Sequence, residues 1–226
     1  MVITVPVRGY FEENTFFWID EDTKHGFLID PGWEAERLLR MIRYNGWSVE
    51  KILLTHGHFD HMGAANAVRD ALGIPILAHE NSADYLGDAK WNLSVFCGTP
   101  ILVDGAELIR DGDSVRLDAD PDISFRVIHT PGHTTDSVCF YCERDGICFT
   151  GDTVFRGTIG NDRFPGGNRD RMIASICDRI LCLPDCTVLY SGHTPETTVG
   201  EEKPHFSPWG GSRALFRYPG TWDGKC

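Results

Sequence analysis

Residues Val2 to Val7 and Thr15 to Asp20 are β-rich, and Gly26-Phe-Leu-Ile-Asp30 is a short apolar run closed by Pro31-Gly32. The chain is therefore predicted to open with antiparallel sheet. From Glu34 to Tyr44 the spacing changes: Leu38, Leu39, Met41 and Ile42 share a helical face, and Asn45-Gly46 suits a left-handed helix end. Lys51 to Thr55 then predicts a short buried strand. A second helical pattern runs from about Asp60 through Val68 to Leu72, stops at Gly73 and leads into the strand Pro75 to Ala78.

The alternation returns further on. Strands are expected at Ser124 to Ile128, Ser137 to Tyr141, Ile147 to Phe149 and Thr187 to Tyr190, with a helix from Arg169 to Leu181. An α/β chain with two sheets and helices outside them fits this order. Trp91 to Asp113 is mixed and Gly-rich, and predicts a connector over a cleft. No Gly, Ser or Pro linker divides the 226 residues, so one domain is expected.

Charge narrows the partners. With 21 basic and 33 acidic residues, the formal net charge of -12 repels phosphate backbones and disfavours a nucleic-acid substrate. The opening segment carries no basic region followed by a long apolar run, and no later stretch has the roughly 18 apolar residues of a membrane span. A cytoplasmic protein with a small-molecule substrate is expected. The 8 cysteines show no framework spacing, and Cys139-x-x-Cys142 lies in an apolar strand-like run with no second pair. They read as reduced, buried thiols.

Four apolar strands end in the same way. Ile-Leu-Leu-Thr-His56-Gly, Val-Ile-His-Thr-Pro-Gly-His133, Ile-Cys-Phe-Thr-Gly-Asp152 and Val-Leu-Tyr-Ser-Gly-His193 each put a metal-ligand type just past a strand, beside a glycine. One histidine so placed would be an ordinary hydrogen-bonded residue; four endings together predict a site. In the first loop His56 and His58 can project the same way from extended chain, while Asp60 and His61 sit where a helix begins and face elsewhere. Two neighbouring metals follow. An all imidazole and carboxylate set suits Zn first, and also Fe or Mn. His25, His79, His129 and His205 fall outside the constellation.

These residues resemble the metallo-β-lactamase superfamily, particularly its hydroxyacylglutathione hydrolase (glyoxalase II) branch. The resemblance rests on Asp30-Pro-Gly32, Thr55-His-Gly-His-Phe-Asp-His61, Pro131-Gly-His133-Thr, Thr150-Gly-Asp152-Thr-Val-Phe155, Phe164-Pro-Gly-Gly167 and Gly192-His193 through Glu202. It implies an αββα sandwich over residues 1–210 with a tail over 211–226. Metal one would take His56, His58 and His133, metal two would take Asp60, His61 and His193, and Asp152 would bridge them. A metal-bridging hydroxide, oriented by Asp60, would attack a thioester carbonyl, with Thr55, Thr134 and Thr153 as supports for the ligands. The chain departs from the branch in three places. Asn161 stands where relatives carry a basic residue that helps hold glutathione, with Arg163 two residues later as a substitute. Thr135-Asp136 replaces Pro-Gly, and the helical domain that grips glutathione gives way to the tail. Lactone, β-lactam or ester hydrolysis, a persulfide-dioxygenase-like mononuclear iron enzyme, and a non-catalytic metal binder are the rival readings.

Overall fold

The computed structural model describes residues 1–211 of the chain. The first sheet has six strands: β1 Val2–Arg8, β2 Glu12–Ile19, β3 His25–Ile29, β4 Ser48–Leu53, β5 Ile76–His79 and β6 Glu107–Ile109, side by side in that order. The first three run antiparallel, and β3 to β6 run parallel. Parallel neighbours need crossovers, which here are helices: α1 Ala35–Asn45 joins β3 to β4, and α2 Phe59–Met62 with α3 Ala65–Leu72 joins β4 to β5. Helix α4, Ala83–Gly87, follows β5.

The second sheet takes β7 Ser114–Arg116, β8 Ser124–His129, β9 Val138–Cys142 and β10 Ile147–Gly151, then β13 Val188–Ser191 and β14 Thr197–Thr198, in the order β14-β13-β10-β9-β8-β7. Between β10 and β13 lie a small hairpin, β11 Val154–Phe155 with β12 Thr158–Ile159, and helix α5 Arg169–Ser175, which continues as a π-helical turn over Ile176–Ile180. Helix α6, Val199–Gly211, ends the described residues.

Three apolar layers hold the sandwich together. Phe17, Leu28 and Ile52 from one face of the first sheet pack with Leu38, Ile42, Ala65 and Val68 of α1 and α3. Its other face, with Phe16, Trp18, Phe27 and Leu53, meets Phe125, Val127, Phe140 and Phe149 of the second sheet. Behind that sheet Ile128, Tyr141 and Leu189 pack against Met172, Ile173 and Ile176, and Phe206 closes the layer. Helix, sheet, sheet, helix is the αββα order, each strand alternating its side chains between two layers. The same alternation separates Cys139, under α5, from Cys142, between the sheets, so the Cys-x-x-Cys pair does not converge.

One helix expected over Asp60 to Leu72 is two. Ala64 N–H donates to Pro31 O at 2.8 Å, where an unbroken helix would send it back to Asp60. The Asp30-Pro-Gly turn is wedged there: a Cβ on Gly32 would lie 1.8 Å from Asp60 O. The connector Trp91 to Asp113 carries a 3-10 turn at Ser94–Cys97 and strand β6. It is tied to the first metal-type loop, since Phe59 N–H donates to Asn92 O at 3.0 Å. Helix α6 has no apolar periodicity to announce it, and Pro204 lies within it. The tail expected over 211–226 lies, past Gly211, outside the described residues.

Gly32→Ala should destabilise the protein by about 2 kcal/mol, since backbone must separate from backbone to admit the methyl group. Urea unfolding reads this directly, and an unchanged midpoint would contradict the wedge.

Candidate metal centre

Backbone hydrogen bonds draw the strand ends of both sheets to one edge. Val138 N–H donates to Thr55 O at 2.8 Å, Gly192 N–H to Gly151 O at 3.0 Å, and Asn14 N–H to Gly192 O at 2.7 Å. The Asn14 amide adds bonds to Ser191 O and Thr194 O. The loop carrying His193 is thus pinned to β2, while the Gly151-Asp152 and Thr55-His56 endings lie beside it. Gly192 has to lack a side chain, because a Cβ there would meet both Asp152 Oδ1 and His61 Cε1 at 2.5 Å.

All seven expected residues come together. His58 Nδ1 lies 3.1 Å from His56 Nε2 and 2.9 Å from His133 Nε2. On the other side, His193 Nε2 lies 3.4 Å from Asp60 Oδ2, and His61 Nε2 lies 3.4 Å from Asp152 Oδ1. Asp152 Oδ2 stands 3.5 Å from both His133 Nε2 and His193 Nε2, between the two groups. Donor atoms of His56, His58 and His133, of Asp60, His61 and His193, and of His56, His61 and Asp152 each lie within 4.8 Å of one another.

The outward face of each ring fixes what the inward face presents. His133 Nδ1 lies 2.7 Å from Asn161 O, and His193 Nδ1 lies 2.8 Å from Glu12 O. A carbonyl only accepts, so both Nδ1 atoms carry a proton, and in the neutral ring each Nε2 then turns a lone pair inward. Thr55 Oγ1 donates to Asp30 Oδ2 at 2.6 Å and so accepts from His56 Nδ1 at 3.1 Å, with the same result for His56. His61 Nδ1 donates to Asp30 Oδ2 at 3.0 Å. Its Nε2 and Asp152 Oδ1 are buried without hydrogen-bond partners. Lone pairs directed inward by His56 and His133 beside buried carboxylates suit divalent cations, and the seven residues fit that group.

Electrostatics divides the ligands into two kinds. Burial, then the neighbouring imidazoles, hold His56 well below the usual histidine range, and burial with His133 does the same for His58. Both are neutral, the state in which an imidazole can bind a cation. Burial also opposes charge on His61 and His193, but Asp152, 3.4 Å from His61 Nε2, Asp30 on the other face of His61, and Asp60 beside His193 outweigh it and raise both. Asp152 is correspondingly held below the carboxylate range: burial raises it, and His61 and His193 overcome that.

Three supports carried no assigned role in the sequence. Asp30, in the left-handed region at φ 48°, accepts from Thr55 N–H at 2.7 Å and from His61, and so braces both ends of the first loop. Glu13 lies buried 3.8 Å from His61 Nδ1. Asp136, noted only as a departure, accepts from Gly57 N–H at 3.0 Å inside the first loop. Of the expected supports, Thr55 bonds a ligand, whereas Thr134 bonds Ser137 and Thr153 bonds Thr130. Asn161 acts on His133 through its carbonyl, while its side-chain Oδ1 accepts from Arg163 N–H at 3.0 Å. Asn161 and Arg163 line a groove with Gly157, Thr158 and His205 that contains none of the seven. His25, His79, His129 and His205 belong to none of the metal-type groups among the described residues.

An αββα sandwich with paired His and Asp clusters along one edge is the architecture these observations define. Residues 11–218 match the profile of the metallo-beta-lactamase superfamily, and the chain belongs to it. It is 33% identical over 202 residues to the hydroxyacylglutathione hydrolase GloC of Haemophilus influenzae, covering 88% of this chain and 93% of that protein. The crystal structure of the BLEG-1 B3 metallo-beta-lactamase superposes with a TM-score of 0.85 at 36% identity, over 91% of this chain and 97% of the other. TTHA1623, crystallised in a di-iron-bound form, gives 0.77 at 33% identity over 88% and 96%. Among the described residues no helix is long and apolar enough to cross a membrane.

Asp136 yields a pH prediction. Burial pushes its carboxyl up to about 7, against hydrogen bonds from Thr134 and Gly57. The folded state then holds a proton that the unfolded state releases above its ordinary value of 3.8, so Asp136's contribution falls as pH rises from there through about 7. In metal-free protein Asp136→Asn should gain stability relative to wild type across that window and level off above it. Parallel stability curves from pH 4 to 8 would contradict this.

Proposed function

We propose that the chain is a dinuclear metallohydrolase that cleaves thioesters. The observation that carries this reading is the position of Asp152 Oδ2, 3.5 Å from one imidazole of each triplet, where one carboxylate can serve two cations. His56 Nε2, His58 Nδ1 and His133 Nε2 would hold the first ion, and Asp60, His61 Nε2 and His193 Nε2 the second. Zn is the first choice by donor chemistry; the likeness to a di-iron-bound protein keeps Fe in view. When bound, such a pair polarises a carbonyl and activates water near neutral pH.

The chain's own groups do the rest. Burial raises Asp60, but His193 Nε2 at 3.4 Å and His61 draw its carboxylate down, so it stays ionised and would orient the attacking water. Fixed Nδ1 partners keep the ring nitrogens from reorienting as charge develops on the carbonyl oxygen, which limits reorganisation. Phe164 lies beside the first triplet, its ring 5.6 Å from that of His58. A thiolate leaves more readily than an alkoxide, and the relationship to a hydroxyacylglutathione hydrolase supports a thioester as substrate. The likeness to a B3 metallo-beta-lactamase supports β-lactam opening as the second reading.

Purified protein should carry close to two metal ions per chain and hydrolyse thioesters such as S-lactoylglutathione faster than a lactone or a β-lactam. Asp152→Ala should lower metal affinity by about 10- to 100-fold or more and remove turnover. One metal per chain together with full activity in Asp60→Ala would sink the two-metal reading, and a β-lactam as preferred substrate would replace the thioester.

A further inference from the structure

Large apolar side chains are unevenly placed on this surface. Of the nine that are exposed among the described residues, Tyr10, Phe11, Val95, Phe96 and Phe164 come from three segments that meet the metal-type loops. Phe11 and Tyr10 belong to the β1–β2 turn, and their rings lie 6.0 and 6.3 Å from that of Phe59, between His58 and Asp60 in the chain. Phe11 also adjoins Glu12, whose carbonyl holds His193. Tyr10 Oη donates to Cys97 O at 2.8 Å, which brings the Val95-Phe96 turn to the same side. Phe164 lies 5.6 Å from His58 and 6.2 Å from His133, edge-on to both, and Phe155 lies 5.9 Å from His193. Aromatic rings thus flank the first triplet and the second alike.

Water opposes this exposure of aromatic surface, and aromatic side chains beside polar catalytic groups are the arrangement of a substrate pocket. Two of the basic groups that could grip an anionic leaving thiol are engaged elsewhere. Arg163 lines a groove that excludes the cluster, and Asp162 beside it is paired with Arg169 at 3.0 Å. Arg8, near the turn, is paired with Glu12 at 2.8 Å.

We propose that the aromatic collar formed by Phe11, Tyr10, Phe96 and Phe164 selects thioesters whose acyl group is apolar and of aromatic size, in preference to hydroxyacyl-glutathione. The inference rests on the thioester hydrolase reading above and specifies its substrate class. Water adds to the thioester carbonyl, the C–S bond breaks, and a carboxylic acid and a thiol leave, the thiolate taking the proton given up by water. The acyl group lies between Phe11 and Phe164 while its carbonyl faces the cluster.

The test compares S-phenylacetyl-N-acetylcysteamine with S-lactoylglutathione on metal-loaded protein, alongside Phe11→Ser, Phe164→Ser and Tyr44→Ser, the last a 91% exposed ring on α1. The phenylacetyl thioester should show a kcat/KM at least ten-fold higher. Each of the first two variants should erase most of that preference through KM, with kcat little changed, and Tyr44→Ser should not alter it. Preference for S-lactoylglutathione, or a preference for the phenylacetyl compound that survives in both variants, would overturn the inference. So would a dimer that Phe11→Ser dissociates without any change in KM, since the collar would then be a contact between copies. If no thioester is turned over with both metals bound, the thioester reading falls and calorimetry decides the collar separately. Binding of the unreactive thioether S-phenethyl-N-acetylcysteamine that weakens ten-fold in Phe11→Ser upholds it, and no binding overturns it.

Discussion

The structure turns on one electrostatic constraint: imidazole lone pairs and carboxylate oxygens face one another in a buried space. His56 Nε2 and His133 Nε2 approach His58 Nδ1 to 3.1 and 2.9 Å, and both are deprotonated because their other nitrogens are committed to Thr55 and Asn161. Acceptors held together out of water are costly unless a cation or a proton joins them. The surrounding fold therefore has to force the approach, and its features are legible as the means of doing so. Two sheets share an apolar core that fixes their mutual position, three backbone hydrogen bonds bring their strand ends to one edge, and the Asp30-Pro-Gly wedge breaks a helix so that Asp60 and His61 face inward.

The supports act by directing protons rather than by touching substrate. Asp30 takes bonds from Thr55 and His61, which lie on either side of the first loop, so one carboxylate sets two ligands at once. Carbonyls of Glu12 and Asn161 do the same for His193 and His133. This arrangement makes the ligand nitrogens good donors to a cation and keeps the rings from turning when the charge changes. Around this polar floor the rim is aromatic, which separates the two tasks of the site: chemistry in the buried cluster, selection at the exposed collar.

Much of this was readable in the sequence, for a physical reason. Strands buried on both faces appear as short apolar runs, and a ligand type repeated just past four of them marks a common edge. All seven side chains so identified meet there. The helical break at Gly63-Ala64 was hidden because its cause, the carbonyl of Pro31, lies in a distant segment. Glu12 and Asn161 act through backbone carbonyls, which every residue possesses, so residue identity carries no signal of their role. Asp30 was visible only as part of a turn motif, and Asp136 only as an unusual residue after His133. Strands of two residues, such as β11, β12 and β14, are too short for any periodicity to show.

The central claim is that Asp152 joins two metal positions made by the His56, His58, His133 and the Asp60, His61, His193 triplets. Anomalous X-ray scattering from crystals of the metal-loaded protein, collected at the absorption edge of the bound metal, tests it most directly. The account predicts two peaks flanking the Asp152 carboxylate, one against each triplet. A single peak that leaves Asp152 unbound, or peaks away from these seven side chains, would contradict it.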